Sequence, residues 1–392
     1  MNREDPGGLT AIDTHPVQYR APVYRLLQQR FGVPVTAIYG SDAGVRPYYD
    51  AEFRTQFAWD SDLLSGYRPI FLSAKTRLAS ELRRQQPAAV LISGFAQGME
   101  WRGIVECLKA GYPMLYRGEA TDHTRVRWMA HRGLRDAILR RFYKRCARLL
   151  YIGQRSQLHF KRLGVDEKKL IFSPYAVDTA PFRSSETDRA TLRPAARADL
   201  GIPADGWGFL FSGKLSPRKG PDLLIQAAKR LPPEVRGKTV LIFLGDGELR
   251  GKLQAAARSE PSVTARFLGF RNQSQMSPVF HASDLLVLPS LHSETWGLVV
   301  NEALHHGLPC AVSEDVGCAP DLIHSGVTGE ISQAGSAPSL CQAIQKARAW
   351  INGEEVGRRC REIADRYGLE KAAAGIARAF EEVRSMNKGL LR

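Results

Sequence analysis

Short apolar runs alternate along this chain with longer stretches in which apolar positions recur every third or fourth residue. The runs read as buried strands, and the periodic stretches as helices laid over them. In the first half, strands are expected at 9–14, 33–39, 88–92, 113–116 and 151–153, with helices at 23–29, 100–109 and 134–150. The second half predicts strands at 207–212, 239–244, 263–268, 285–289 and 308–313, and a last amphipathic helix over 369–386. Helices are expected after the turns at 213–220, 245–248 and 317–320, and one from Gly297 to Gly307, with Pro309 as a stop beyond it. Regular strand–helix alternation implies an α/β protein with parallel sheets covered on both faces. At 392 residues the chain is long for one core, so two doubly wound domains are expected, 1–178 and 179–368, with 369–392 as a closing helix. Residues 179–198, rich in Ser, Thr, Arg and Ala, read as a linker.

Charge changes this picture at one place. The formal net charge is +15, and residues 1–178 carry +11 of it against +4 for 179–392. Nine basic residues and one acid, Asp136, fall within 125–148. In the helix expected at 134–150, Leu134, Ile138, Phe142, Cys146 and Leu149 form an apolar stripe, while Arg141, Lys144, Arg145 and Arg148 form a basic one. Such a helix either packs on the core with a solvated outer face or lies on an anionic membrane surface. No apolar run reaches the roughly 18 residues a spanning helix needs, and the polar start of the chain lacks an apolar signal region. The expectation is a cytoplasmic protein and, in the second of those two cases, one peripheral at the inner face of the plasma membrane. The six cysteines show no metal-ligand spacing and read as reduced, mostly buried thiols.

In open α/β sheets, ligands bind beyond the carboxyl ends of the strands, where helix amino termini present N–H groups to anions. Polar loops at such ends supply the candidate residues. After the strand at 285–289 come Glu294 in the loop and Glu302 on the helix, with Gly297 between them. A carboxylate there can accept both hydroxyls of a ribose, and a diphosphate can rest on the N–H groups near Gly297 and Leu298. After 207–212, Gly213 permits a tight turn between Lys214 and Lys219, which flank the place a diphosphate would occupy. Gly245 opens the next such turn. In the first half, His15, Gln18 and Tyr19 follow the first strand and Gly94 follows the strand at 88–92. Arg117, Glu119 and His123 crowd the loop after 113–116, with a structural ion pair between Arg117 and Glu119 as the plainer alternative. Asp60-Ser61-Asp62 has the form of a D-x-D metal site, but no strand-like run ends there, and two solvated carboxylates are the simpler reading.

The pair Glu294 and Glu302, seven residues apart, resembles the E-x7-E motif of glycosyltransferase family 4. Gly213-Lys214-Leu215 followed by Lys219-Gly220 resembles the family's G-R-L…K-G element, with Lys214 where arginine is usual, so a bidentate phosphate grip becomes a point contact. The resemblance spans about residues 150–385. It implies a GT-B fold, two Rossmann-like domains facing a cleft, with the final helix crossing back to the first. It further implies a retaining, metal-independent transferase without a cofactor, using a nucleotide diphosphate sugar, UDP-linked in preference to GDP-linked. In that frame Lys214 and Lys219 offset diphosphate charge and Glu302 holds the ribose. Glu294 holds the transferred sugar, Phe270 lies under the nucleobase, and Thr295, Trp296, Gly297 and Leu298 line the donor site. His123, Arg117 and Glu119 are the first domain's catalytic candidates, and His15, Gln18, Tyr19 and Gly94 face the acceptor. The acceptor would be a glycan, a lipid-linked saccharide or a small molecule, with no nucleic acid expected. A sugar-nucleotide epimerase of the same fold and a basic nucleic-acid- or membrane-binding protein are the alternatives.

Overall fold

The computed structural model describes residues 7–50, 55–73, 76–94, 98–122, 129–353 and 355–390. Its strands are β1 (Gly7–Asp13), β2 (Val35–Tyr39), β3 (Tyr48–Asp50), β4 (Thr55–Phe57), β5 (Arg68–Phe71), β6 (Pro87–Ser93), β7 (Met114–Gly118), β8 (Arg148–Tyr151) and β9 (Leu170–Phe172). They continue as β10 (Trp207–Ser212), β11 (Thr239–Leu244), β12 (Thr264–Gly269), β13 (Leu285–Leu288), β14 (Cys310–Ser313) and β15 (Gly329–Ser332). Among the described residues they form two large parallel sheets, ordered β5-β2-β1-β6-β7-β8-β9 and β12-β11-β10-β13-β14-β15, and a small β3-β4 hairpin. The expected α/β class with two doubly wound domains is therefore correct.

Both sheets start in the middle, run outward to one edge, and return to the other side of the first strand. The order reverses between β1 and β6 in one sheet and between β10 and β13 in the other. Loops diverge at such a point and leave a crevice at the carboxyl edge. The central strands are apolar on both faces, as parallel strands covered by helices must be. Phe209, Leu210 and Phe211 of β10 and Leu285 to Leu288 of β13 are all fully buried.

Several local expectations need correction. Residues 186–200 form a helix, Glu186–Leu200, inside the stretch read as a linker. Ser185 caps it and Asp188 returns the bond to the Ser185 N–H. Arg193 and Arg197 on this helix pair with buried Asp284, which fastens it to the second domain. The helix expected over 134–150 instead runs Met129–Arg145, and the chain re-enters the sheet at Arg148 as β8. Its last residues, Leu149 and Leu150, are strand positions with no exposure, because an apolar pair beside β7 gains more from the sheet than from another turn. The first sheet then ends with β9, not with 151–153. On the helix, Asp136, Leu139 and Tyr143 are buried, while Leu134 and Ile138 of the expected apolar stripe face outward.

The final helix, Leu369–Leu390, does lie on the first domain. Ile376, Phe380 and Val383 join a core with Leu9, Leu27, Leu91 and Leu150, and the Ala372 carbonyl accepts the Ser173 hydroxyl at 2.9 Å. All six cysteines are buried and free. Because Phe380 fills the first domain's core from the far end of the chain, Phe380→Ala should lower stability by about 3–5 kcal/mol. Urea unfolding checks this; a loss below about 1 kcal/mol would mean that the helix only rests on the surface.

Candidate active site

Adjacent strands β10 and β13 deliver the second domain's charged groups. Beyond β10 the chain turns through Gly213 into a 3-10 turn, Pro217–Lys219. Beyond β13 it loops through Ser290 and Glu294 to Gly297, the cap of the helix Leu298–His305. Gly297 has φ +97°, and a Cβ there would meet Val316 and Leu288 at 3.0 and 3.1 Å, so only glycine lets the helix start so close to the sheet. The two loops bring the Lys219 ammonium into an ion pair with the Glu294 carboxylate. The same Oε2 accepts the Ser290 hydroxyl at 3.1 Å, and the Arg218 guanidinium stands 4.0 Å away. Gly245 packs backbone to backbone on this loop: a Cβ would fall 2.0 Å from the Gly213 carbonyl oxygen.

Glu302 lies one turn into the helix and is buried. Its Oε1 accepts the hydroxyl of Tyr19, from the first domain, at 3.2 Å. Burial pushes its pKa up to about 7, against smaller downward pulls from Tyr19 and the nearby Gln273 amide. Gln273 stands beside the carboxylate without meeting the geometry of a hydrogen bond; its buried amide atoms have no such partner.

From the first domain, His15, Gln18 and Tyr19 follow β1 and reach the same cavity. Burial, with the Arg20 charge second, lowers the His15 pKa, which favours a neutral ring. Glu119, beyond β7, joins the domains: one oxygen accepts the Tyr175 hydroxyl at 2.9 Å and the Thr295 hydroxyl at 3.2 Å. Arg117 does not reach the cavity. It is buried, donating to the carbonyls of Ser173 and Pro174 with its guanidinium 5.0 Å from the Tyr175 ring centroid, so it braces the chain leading to Tyr175. Gly94 follows β6 at φ +87°, and its N–H donates to the Arg117 carbonyl; it too is outside the cavity lining. His123 and residues 125–128 of the basic stretch lie outside the described residues.

The cavity between the domains measures about 620 Å³, within the range of small-molecule sites. His15, Gln18, Tyr19 and Glu119 line one side. Gly213, Lys214, Lys219, Gly245, Phe270, Glu294, Thr295, Trp296, Gly297, Leu298 and Glu302 line the other. Reading the sequence missed Trp59, Tyr175, Arg218, Arg271, Gln273 and Met276. Arg218 and Arg271 adjoin singled-out residues and could have been found by that proximity. Trp59 carried no local signal, since no strand of the main sheet ends at it. Asp60 and Asp62 point to separate partners, Asp60 to Ser274 and Asp62 to the turn at Leu64 and Ser65, so the D-x-D pair serves structure.

Two Rossmann-like domains with a charged cleft at their facing carboxyl edges define the GT-B class of fold. Solved structures of that class superpose on nearly the whole chain. Anabaena HepE in complex with UDP matches with a TM-score of 0.69 at 18% identity, covering 95% of this chain and 99% of that one. Sucrose-phosphate synthase from Thermosynechococcus elongatus matches with a TM-score of 0.69 at 17% identity, covering 97% and 100%. Within this fold, residues 193–366 match the family model "Glycosyl transferases group 1". The D-inositol 3-phosphate glycosyltransferase of Mycobacterium leprae is 36% identical over 168 residues, 42% of this chain and 37% of that protein. The chain thus spans about half or less of the length of the curated relatives it matches.

Glu302 gives the site a pH signature. A glutamate pKa raised from 4.5 to about 7 means that the folded protein binds a proton the unfolded chain has released. The associated stability is present below about pH 4.5 and lost as pH rises through 7. Wild-type stability relative to Glu302→Gln should therefore fall between pH 5 and 7.5, by up to about 3 kcal/mol. Urea unfolding across that range measures it, and parallel pH profiles would contradict a buried, proton-binding Glu302.

Proposed function

We propose that this protein is a retaining glycosyltransferase, moving a sugar from a nucleotide diphosphate sugar to a glycan, lipid-linked or small-molecule acceptor without a metal ion. The observation that carries the reading is the convergence of Glu294, Glu302 and Lys219 in one cavity that the first domain closes with His15, Tyr19 and Glu119. The family match over 193–366 and the fold shared with a UDP-bound neighbour support it. UDP is the expected carrier in preference to GDP.

Each group has a chemical task in this reading. Lys219 and Lys214, with the first N–H groups of the helix after Gly297, offset charge as the diphosphate leaves. Glu302 accepts the ribose hydroxyls. Glu294, fixed by Lys219 and Ser290, accepts hydroxyls of the transferred sugar and sets its orientation. A cleft with two glutamates invites comparison with glycosidases, but Glu294 is neutralised by a lysine and Glu302 is one helical turn deeper. Neither is arranged as an acid and nucleophile flanking one bond. The acceptor attacks on the face the diphosphate leaves, and a phosphate oxygen takes its proton. Closure of the domains keeps water from the donor.

The outward face of the helix Met129–Arg145 suggests where the acceptor is met. Leu134 and Ile138 are 68% and 57% exposed, and they align at helical spacing with exposed Arg141 and Arg145. An apolar end followed by a basic end suits the boundary of an anionic bilayer. Among the described residues no helix is long and apolar enough to cross a membrane. This surface is read as a peripheral dock that presents the cleft to lipid-linked acceptors.

Lys219→Ala should cut turnover of the preferred nucleotide sugar about a hundredfold or more, since one preorganised donor is worth about 2.7–4 kcal/mol. The assay begins with a thermal-shift panel of nucleotide sugars and follows transfer with and without EDTA, with the anomeric configuration read by NMR. An inverted product, dependence on added metal, or turnover of the nucleotide sugar without acceptor would each remove the corresponding part of the reading. Separately, co-sedimentation should favour acidic over neutral liposomes, and charge reversal at Arg141, Lys144 and Arg145 should abolish that preference. Equal pelleting on both would rule out the membrane dock.

A further inference from the structure

We propose that the nucleobase site is built by both domains, and that Trp59 is the residue with which the first domain completes it. The inference rests on the nucleotide-donor reading above and adds to it a residue that lies outside the family-matched region.

Trp59 follows the β3-β4 hairpin and is anchored in its own domain. Its backbone N–H donates to the Gly44 carbonyl at 3.2 Å, and its indole packs against the first domain's core. Gly44 makes that seat: a Cβ there would stand 3.0 Å from the indole, and its φ of +88° strains any other residue. The ring also lines the interdomain cavity, where its centroid lies 6.1 Å from that of Phe270, with the planes 59° apart. The two rings form an aromatic corner, one wall from each domain. A planar base that stacks on one wall meets the edge of the other.

Hydrogen bonds on both sides of Trp59 hold this corner across the cleft. The Asn272 amide donates to the Ala58 carbonyl at 3.1 Å. The Ser274 N–H donates to Asp60 Oδ2 at 3.3 Å, and the Ser274 hydroxyl donates to the same oxygen. Residues 58 and 60 are thus tied to the strip that carries Phe270, and residue 59 between them faces the cavity. The corner also falls where the ligand requires it. Lys219 and the Gly297 turn mark the diphosphate end and Glu302 marks the ribose, which leaves the base to the wall formed by Phe270. A base held by both domains binds more tightly when they are together, so nucleotide binding and domain apposition favour each other.

Calorimetric titration of the full chain with UDP and with inorganic pyrophosphate tests this. Trp59→Ala should weaken UDP binding by about tenfold or more, the range of one base–aromatic stack. It should leave pyrophosphate binding unchanged, and Trp59→Phe should recover most of the UDP affinity. Equal UDP affinity in Trp59→Ala and wild type would overturn the proposal. A parallel loss of UDP and pyrophosphate would also overturn it, since Trp59 would then only support the fold. If the wild-type chain binds pyrophosphate but no nucleotide, the nucleotide-donor reading itself fails, and this inference with it.

Discussion

A carboxylate loses its water when it is buried at the floor of a cleft, so it persists there as an anion only beside a fixed cation. The Lys219–Glu294 pair meets that condition, and much of the second domain can be understood as what brings the two together. They belong to loops far apart in sequence that leave adjacent parallel strands, β10 and β13. The adjacency exists because the sheet reverses its order at this place. The tight approach of the loops depends on Gly245 and Gly297, where a Cβ would meet backbone or core, and on Gly213, whose φ of +143° disfavours any other residue. A buried pair of this kind adds little net stability, because desolvation offsets most of its attraction. Its value lies in holding two charges of opposite sign at fixed places on the wall of the cleft.

The second glutamate is handled differently. Among the described residues Glu302 has no cation paired with it; it has a hydroxyl from the other domain, and burial holds its proton to near neutral pH. The two carboxylates of one motif are therefore physically unlike: Glu294 is ion-paired with a lysine, while Glu302 is buried beside a hydroxyl with its pKa raised to about 7. Tyr19, Glu119 and Asp60 each reach across the cleft to the second domain, to Glu302, Thr295 and Ser274 respectively. The three contacts are side-chain hydrogen bonds, with no extended apolar surface among them. Bonds of that type are individually weak in net terms and can be exchanged for ligand or water.

Much of this was legible in the sequence, for identifiable reasons. Parallel strands buried on both faces are continuous apolar runs, so β10, β11 and β13 could be placed to within a residue or two. Carboxyl-edge loops carry polar residues right after such runs, which is why Glu294, Lys219 and His15 stood out. What failed needed information from across the molecule. The helix Glu186–Leu200 looked like a linker because its partners, Asp284 and the helix Ser277–Ala282, lie about ninety residues away. Leu134 and Ile138 looked like core because spacing cannot tell which of two apolar faces meets the sheet. Trp59 follows a hairpin outside the repeating strand–helix pattern, and only the folded chain sets it against Phe270.

Arg117 and Glu119 show how finely the end of a strand separates roles. They are two residues apart at the end of β7, and a loop rich in polar groups offers no way to rank them by sequence. In the structure Arg117 is still part of the sheet, buried, its guanidinium spent on the carbonyls of Ser173 and Pro174. Burial brings even this guanidinium down to about 10, so it stays charged at neutral pH and keeps its grip on those oxygens. Glu119 has left the sheet and faces the cleft, where Tyr175 and Thr295 share one of its oxygens. Tyr175 connects the two, since the segment braced by Arg117 delivers the hydroxyl that Glu119 accepts. Arg117 therefore acts on the cleft at one remove, by setting the position of Tyr175 and through it the carboxylate that spans both domains.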